Sequence, residues 1–400
     1  MSEARPLPLA GVVVVDLGQI YNGPYATFLM AMAGARVIKI EPREGEHLRR
    51  RGVVGGAALP FAMLNSSKEC VTLNLKTERG RELLVEMVRR GDVLVENFAP
   101  GTMDRLGLGP DRLMAENPRL VYASGSGYGS TGPYRDYPAM DLTVQAMSGV
   151  MSITGFPDRP PVKAGPALCD FFAGVHLYSA VVTALYERER TGTGRRVEVS
   201  MLESVYCSLS SSLGLWWGSG GEAPPRTGNR HGGMAEAPYN VYPTRDGHIA
   251  IICVGENHWR NLARVMGRED LADDPRFCSL ARRVENIDEI DEIVSEFTSR
   301  HDKQELFELL IANRVACAPV RNLDEVAHDP HLHARGSLQW MDHPQYGRVV
   351  VPNSPLRFDG SDLAPLEPSG SLGERNDSVF GDWLGLDRAT IEDLERTGII

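Results

Sequence analysis

The residue of this 400-residue sequence with the clearest chemical potential is Asp170. It lies between a Gly/Pro loop, Ala164 to Cys169, and an almost wholly apolar run, Phe171 to Tyr186. A carboxylate there is close to the protein interior yet reachable from the loop. Because an unperturbed aspartate has a pKa of about 3.9, it is ionised at neutral pH and can attack an activated acyl group without a general base. The resulting mixed anhydride requires a site that excludes water.

A structural role for Asp170 is the alternative, because aspartate is a common helix N-cap. The apolar residues that follow it lie on one stripe of a predicted helix, and charge first appears at Glu187 to Arg190. Gly192 and Gly194 then end this helix. The pattern alone favours the cap, and spacing does not decide between the two roles.

The elements before Asp170 alternate between strands and helices. Strands are predicted at Val12 to Asp16, Arg36 to Glu41, Cys70 to Leu75, Asp92 to Glu96 and Arg119 to Ser124, and helices at Tyr25 to Ala33, Thr77 to Arg90, Thr102 to Leu106 and Asp111 to Glu116. This alternation predicts an α/β fold, with a Rossmann-like doubly wound sheet whose ligands bind outside the carboxyl ends of the strands.

A smaller α+β region is predicted to follow. After a strand at Arg195 to Ser200 and a helix at Met201 to Trp217, the Gly/Pro-rich stretch Gly218 to Pro238 is typical of a linker. A hairpin is predicted at Tyr239 to Cys253, with helices at Asn257 to Met266, Val284 to Ser299 and Lys303 to Asn313, and Ala318-Pro319-Val320 is expected to return the chain to the main body. The predicted domains are residues 1–220 (large, N-terminal part), 221–325 (small, with linkers) and 326–400 (returning to the large domain).

Composition and charge argue against several classes of protein. The net charge of -11 disfavours sequence-independent nucleic-acid binding and attraction to anionic membranes. No basic leader and no uninterrupted apolar stretch of about 20 residues is apparent, so a cytoplasmic protein without a membrane partner is expected. The six cysteines are scattered without metal-binding spacing, which predicts no metal.

The first strand-to-helix turn, Gly18 to Pro24, bears on cofactor choice. It lacks the glycine spacing of a dinucleotide fingerprint, and Pro24 removes a backbone N–H that such a site would use. We therefore expect no NAD.

Several stretches together resemble the family III CoA-transferases, the group that contains formyl-CoA transferase and carnitine CoA-transferase. They are Val15-Asp16 with Gly23-Pro24, Gly34 to Glu41, Leu73 to Lys76, Val95 to Phe98 with Pro100-Gly101 and Asp104 to Gly107, Gly165-Pro166, Asp170, Glu189 to Arg195, and Cys317 to Val320. The likeness runs in order along nearly the whole chain. It implies an acyl-CoA:carboxylate CoA-transferase with coenzyme A or acyl-CoA as substrate, and a homodimer whose chains interlock.

The resemblance also implies roles for individual residues. Asp170 is the implied nucleophile, forming first an aspartyl anhydride and then an aspartyl-CoA thioester, with Asp141 in possible support and Tyr21 and Asn22 around the acyl group. The implied CoA-binding residues are Leu73, Asn74, Leu75, Lys76, Asn97, Phe98, Arg105 and Arg135. A purely structural role is the alternative to each functional one: Phe98 can be a core residue, Arg105 can pair with a protein carboxylate, and Asp141 can cap its own helix.

Met140 separates two activities within this resemblance. Related α-methylacyl-CoA racemases carry histidine immediately before the acidic residue, where it is one of two bases for α-proton exchange. Methionine cannot exchange a proton, which favours transfer over racemisation. A racemase or epimerase and a non-catalytic CoA-binding protein remain the alternatives.

A glycine pair, Gly232-Gly233, aligns with a glycine-rich loop that closes over the intermediate in formyl-CoA transferase. With only two glycines, the sequence does not support oxalate as substrate, and it favours a plain interdomain loop nearly as much as a loop that closes over the intermediate. If the loop is a lid, Arg226 and Arg230 could hold the distal carboxylate of a diacid, so succinyl-CoA or a similar diacid thioester is considered as donor. The sequence leaves the acids themselves open.

Overall fold

The computed structural model describes residues 5–51 and 59–400. In its first half the elements are β1 Val13–Asp16, α1 Asn22–Met32, β2 Arg36–Glu41, α2 His47–Arg50, α3 Leu59–Asn65, β3 Glu69–Thr72, α4 Glu78–Arg90, β4 Val93–Glu96, α5 Thr102–Arg105, α6 Pro110–Glu116, β5 Val121–Ser126, α7 Asp141–Met147, α8 Val150–Ile153, α9 Leu168–Thr191 and β6 Arg196–Ser200.

The second half continues with α10 Met201–Tyr206, α11 Ser210–Gly218, β7 Tyr239–Thr244, β8 Gly247–Ile252, α12 Glu256–Val265, α13 Leu280–Glu285, α14 Ile287–Thr298, α15 Lys303–Ala312, β9 Ala316–Pro319, α16 Leu323–Ala327, α17 Pro330–Ala334, β10 Leu338–His343, β11 Gly347–Pro352 and α18 Arg388–Arg396. The chain divides into two compact units. The first comprises residues up to Val144, Pro166–Val205 and Asp329–Ile400, and the second comprises Gln145–Gly165 and Tyr206–His328.

A six-stranded parallel sheet in the order β3-β2-β1-β4-β5-β6 is the centre of the first unit, so the predicted parallel α/β sheet is confirmed. Successive side chains of β1 point to opposite faces. Val14 packs in a cluster with Phe28 of α1 and Leu177 of α9, whereas Val15 packs in a cluster with Leu84 of α4. Both faces are therefore covered by helices, as the β-branched strands require.

Helix α9 is the longest helix of the described chain, and it is the one described helix long and apolar enough to cross a membrane by length and composition alone. Leu177 and Val181 are fully buried against the sheet. The helix ends at Gly192, whose φ of 78° is a left-handed conformation that favours glycine. Within this unit, α9 is thus a core helix that also brings Asp170 to the sheet.

The C-terminal residues complete the same unit. Strands β10 and β11 form an antiparallel hairpin, and Phe380, Ile391 and Ile400 enter the core cluster beneath the sheet. The sequence interpretation assigned residues 326–400 to the large domain without identifying these elements.

The second unit contains a three-stranded antiparallel sheet, in the order β7-β8-β9, and its own core around Trp259, Phe277 and Leu306. The expectation that Ala318-Pro319-Val320 returns the chain to the main body is wrong, because Ala316–Pro319 is the third strand of this sheet. The domain boundaries that we drew from the sequence remain predictions.

Two of the longer predicted helices are each broken in two. The helix predicted over Met201 to Trp217 is interrupted by a 3₁₀ turn at Cys207–Leu209, and that predicted over Val284 to Ser299 is divided at Asn286. The first helix begins at Asn22 rather than Tyr25, which places Gly23 and Pro24 in its first turn. Proline is tolerated there because first-turn N–H groups have no intrahelical partner.

Candidate active site

A cavity of about 330 Å³ lies at the carboxyl ends of β1, β4 and β5, and Asp170 is part of its wall. This is where the strand order reverses between β1 and β4, the usual ligand position in an open parallel sheet. The wall is formed by Gln19, Ile20, Asn22, His47, Arg51, Asn97, Phe98, Ala99, Gly125, Ser126, Gly127, Ala139, Met140, Asp170 and Met201. The turn after β1 and the segment after β4 thus meet the start of α9.

Asp170 is the third residue of α9, so the interpretation of this residue as the helix N-cap is wrong. Ala167 occupies the N-cap position and makes no side-chain cap hydrogen bond. The first-turn N–H groups are satisfied from another helix instead. The Oδ1 atom of Asp141 accepts hydrogen bonds from the backbone N–H of Cys169 at 2.8 Å and of Asp170 at 3.4 Å.

Asp141 is the first residue of α7, and its carboxylate binds the N-terminus of α9. A negative charge at a helix N-terminus is favourable, because the unpaired N–H groups there carry partial positive charge. Asp170 itself is part of the cavity wall. Sequence reasoning had named both aspartates but could not pair them.

The electrostatic environment of Asp170 is unusual for a carboxylate. Burial, and to a smaller extent the nearby charge of Asp141, raise its pKa to about 7 against the opposing effect of a hydrogen bond from the backbone of Asn22. The residue is 8% exposed. The expectation of an unperturbed, fully ionised carboxylate is therefore wrong. A carboxyl group that lies in a cavity and has a strongly shifted pKa is common in functional sites.

Close approach of α1 and α9 places the backbone of Asn22 against Asp170. Gly174 lies one turn after Asp170, and a Cβ atom at this position would lie 2.9 Å from the Asn22 carbonyl oxygen and 3.1 Å from the Tyr25 ring. Only glycine leaves room for this contact. Tyr21 stacks on Phe171 with ring centroids 5.8 Å apart, which closes the same junction. The sequence pattern had shown Gly174 only as a small residue in an apolar helix.

A buried ionic network supports the turn after β1. The Asp16 carboxylate accepts hydrogen bonds from the Gly18 N–H at 2.8 Å, the Thr27 hydroxyl at 2.7 Å and the Lys68 ammonium at 3.0 Å. Lys68 and Asp16 have fully buried side chains. Because a buried charge is costly unless it is paired, this network fixes the turn geometry.

The tip of the turn is held by Asn97 and Glu46. Asn97 accepts from the Gln19 N–H at 2.7 Å and donates to the Gln19 carbonyl at 2.8 Å. Ile20 has a φ of 64°, a left-handed conformation that is strained for a β-branched residue. Its N–H donates to the Glu46 carboxylate at 3.1 Å. Asn97 is thus part of the cavity wall, and its amide binds the turn; its contact with CoA stays a prediction.

A second cavity, of about 260 Å³, lies beside the first and shares the wall residues Phe98, Ala99, Gly125 and Ser126 with it. Arg135 and Arg196 contribute cationic groups to this cavity, and Glu96 contributes a carboxylate. Burial raises the pKa of Glu96 to about 7, although its carboxylate accepts a hydrogen bond from the Phe98 N–H. Sequence reasoning named Arg135 and Phe98 but missed Glu96.

Other predicted CoA-binding residues lie away from these walls. Within the described residues, neither cavity wall contains Leu73, Asn74, Leu75, Lys76 or Arg105. Asn74 forms hydrogen bonds with the backbone of Gly398 and Ile399. The Arg105 guanidinium donates to the Thr102 hydroxyl at 2.8 Å.

In the second unit, Gly232 lies in the wall of an apolar cavity of about 320 Å³ formed with Tyr206 and Trp216. A Cβ atom on Gly233 would lie 3.1 Å from the His231 ring. Arg230 donates to Asp288 at 2.6 Å and to Asp291 at 2.8 Å.

Arg226 donates to the carbonyl oxygens of Ser152 and Phe156. The suggestion that Arg230 holds a substrate carboxylate is thus not supported, because two protein carboxylates already bind its guanidinium. In the part of the chain that the structure describes, no group of three or more His, Cys, Asp or Glu residues is arranged to hold a metal ion.

Comparison with known proteins identifies the class to which this geometry belongs. The model of "CoA-transferase family III" matches residues 9–376, so the chain belongs to CoA-transferase family III and is a CoA-transferase. The chain is 40% identical over 369 residues to an acetyl-CoA:oxalate CoA-transferase of Acetobacter aceti, covering 90% of this chain and 93% of that one.

Two further relatives act on other pairs of acids, as their names state. A formyl-CoA:oxalate CoA-transferase of Streptomyces avermitilis is 36% identical, with 98% of this chain and 99% of that chain covered. A succinate–glutarate CoA-transferase of Agrobacterium fabrum is 33% identical, with 99% and 98% covered. Among solved structures, a CAIB/BAIF family protein from Brucella suis superposes with a TM-score of 0.83 at 33% identity, covering 94% of this chain and 100% of that chain.

Proposed function

We propose that this enzyme transfers CoA from an acyl-CoA to a free carboxylic acid through covalent intermediates on Asp170. The observation that carries the proposal is the Asp170 carboxyl group in the wall of the cavity at the carboxyl ends of the sheet, with its helix N-terminus bound by Asp141. Because Asp141 binds the N–H groups of Cys169 and Asp170, the Asp170 carboxylate is not needed as a helix cap and can present an oxygen for attack. The names of the relatives support the same class of reaction.

The proposed reaction has four steps. An Asp170 oxygen attacks the thioester carbonyl carbon; a C–O bond forms, the C–S bond breaks, and CoA leaves as the thiolate. The thiolate then attacks the aspartyl carbonyl carbon of the mixed anhydride, which releases the donor acid as a carboxylate and leaves aspartyl-CoA thioester. The acceptor carboxylate attacks this thioester, and the thiolate released attacks the acceptor acyl carbon, which regenerates the Asp170 carboxylate. No oxidant or metal is needed for the balance.

The raised pKa of Asp170 fits a nucleophile of this kind. A carboxylate that is poorly solvated gains more by sharing its charge with the substrate than one in water, because burial has already removed its hydration. Its pKa of about 7 still leaves about half of the enzyme ionised at neutral pH. Met140, at the position where racemases carry histidine, lies in the wall of the same cavity and cannot serve as the second base of a racemase.

For CoA itself, we propose that the thioester end occupies the cavity of Asp170, with Asn97 and Phe98 beside it. Arg135 in the neighbouring cavity then supplies a cation for the phosphates. Leu73 to Lys76 and Arg105 remain the proposed adenine-side contacts. The acceptor is a carboxylic acid. The glycine pair did not favour oxalate, but the names of two relatives make oxalate a first candidate to assay, together with the four- and five-carbon diacids of a third. Gly232 and Gly233 are proposed to cover the intermediate, and the enzyme is proposed to be an interlocked homodimer.

Trapping the covalent intermediate tests the proposal. The enzyme is incubated with acetyl-CoA or succinyl-CoA and then with borohydride or hydroxylamine, and the modified peptide is located by mass spectrometry. We expect modification of Asp170, and loss of both modification and transfer in Asp170→Asn. Cys169→Ala is the matched control, because it removes the adjacent thiol and should keep both. Full transfer by Asp170→Asn would refute the mechanism.

A further inference from the structure

The wall of the Asp170 cavity contains a polar side chain that the proposed steps do not use. Asn22 is 2% exposed, and its side-chain Oδ1 atom is buried without a hydrogen-bond partner among the described residues. A buried amide oxygen without a partner costs stability, so in a native protein its presence calls for an explanation. The backbone of the same residue already binds Asp170, so its side chain is close to the reacting group.

Gly125, at the end of β5, determines where the Asn22 carboxamide lies. A Cβ atom on Gly125 would lie 2.7 Å from Oδ1, 3.2 Å from Cγ and 3.3 Å from Nδ2 of Asn22. The carboxamide therefore rests over the Cα of Gly125, and a larger residue would displace it. Both residues are part of the wall of the Asp170 cavity. A glycine at this point of the strand is what allows the amide to remain beside the nucleophile.

The chemistry of the proposed reaction calls for a hydrogen-bond donor at this place. Each attack by a carboxylate or thiolate moves negative charge onto a carbonyl oxygen, and donors fixed in advance stabilise that charge most. The Oδ1 atom of Asn22 is buried away from the cavity, so Nδ2 is the end of the carboxamide that an acyl group in the cavity can reach. An amide nitrogen is the donor that asparagine offers.

We propose that the Asn22 carboxamide is a catalytic residue, which donates a hydrogen bond to the carbonyl oxygen of the acyl group as Asp170 or the CoA thiolate attacks it. The inference rests on the proposed function of Asp170. It assigns to Asn22 the stabilisation of the oxyanion.

Single-turnover kinetics with the full-length enzyme tests this inference. Asn22→Ala removes the donor, and we expect the rate of covalent modification of Asp170 by acetyl-CoA to fall about 10²–10³-fold, as when one oxyanion donor is removed. The dissociation constant for free CoA should change by less than about threefold, because a donor that acts in the transition state adds little to ground-state binding.

A structural role would give a different pattern. Asn22→Asp keeps the shape of the side chain, but an ionised aspartate has no donor, so at a pH where it is ionised this variant should be as slow as Asn22→Ala. A wild-type rate with the ionised aspartate would show that Asn22 has only a structural role. Gly125→Ala, which keeps the amide but displaces it, should also slow the chemical step. Asn313→Ala, which alters an amide at the end of α15, is the control and should leave the rate unchanged.

The outcomes separate this inference from the proposed function. If Asn22→Ala modifies Asp170 at the wild-type rate, the inference is overturned while the nucleophile stands. If Asp170→Asn still transfers CoA, the mechanism on which the inference rests has failed. The catalytic role would also be overturned if Asn22→Ala weakened the binding of free CoA by the same factor as it slowed the covalent modification of Asp170.

Discussion

Replacing Asp170 with asparagine should stabilise the protein, and the gain should depend on pH. A folded-state pKa of about 7 against an unfolded value of 3.8 means that the folded protein holds a proton which the unfolded chain releases. Unfolding between about pH 4 and pH 7 therefore releases this proton, so wild-type stability falls as the pH rises through that window. At about 1.4 kcal/mol per tenfold change in the proton equilibrium, the loss approaches roughly 4 kcal/mol by pH 7.

Asparagine carries no charge in either state but keeps the oxygen that accepts the Asn22 N–H. The free energy of unfolding of Asp170→Asn should thus exceed that of the wild type by an amount near zero at pH 4, rising to about 4 kcal/mol at pH 7 and level above about pH 8. Urea unfolding followed by circular dichroism at five pH values measures the difference. A variant that loses activity but is more stable than the wild type is also the usual sign that an active site lowers the stability of the protein.

Asp158→Asn is the control, because Asp158 is exposed and pairs only loosely, at 3.8 Å, with Arg159. Its effect should be small and nearly independent of pH. A gain for Asp170→Asn that is constant from pH 5 to pH 8, or a loss of stability at pH 8, would show that burial does not raise the pKa of Asp170. The electrostatic account of the nucleophile would then be wrong.

Three further predictions concern the surroundings of the nucleophile. The rate of CoA transfer, as kcat/KM, should rise with pH through about 7, and Asp141→Asn should move this limb to lower pH because it removes a like charge; an unmoved limb would contradict the coupling. Gly174→Ala should lower the free energy of unfolding by about 1–3 kcal/mol and slow transfer, because the added methyl group pushes α1 away from α9. Gly214→Ala is the control, and it should be neutral or stabilising because the space at its Cβ is open. Equal unfolding midpoints for the two variants would argue against tight contact between α1 and α9. Lys68→Met should cost about 3–5 kcal/mol because it removes the ammonium group that is hydrogen-bonded to the buried Asp16 carboxylate, and a variant as stable as the wild type in urea would contradict that network.

The sequence predicted the central sheet well because its signals are local. β-branched runs such as Val12 to Val15 identify buried strands, and alternation with helices leaves a parallel sheet as the natural arrangement. Elements without such signals were missed or misplaced. The hairpin β10–β11 was not seen, and Ala316–Pro319 was assigned to the wrong part of the chain because pairing partners are not visible in one strand.

The candidate site also has features that the sequence predicted and features that only the structure shows. The sequence alone supplied the residue types and the apolar helix that follows Asp170. It also supplied the family resemblance, which favoured a nucleophile over a helix cap at this residue. Only the tertiary structure brought Asp141 to the N-terminus of α9 and Asn22 to Gly125, since each of these contacts joins segments far apart in the chain. The pKa of Asp170 follows from burial and from such neighbours, which are properties of packing. Residue identity fixes which chemistry is available, whereas packing decides which group is desolvated, oriented and left free to react.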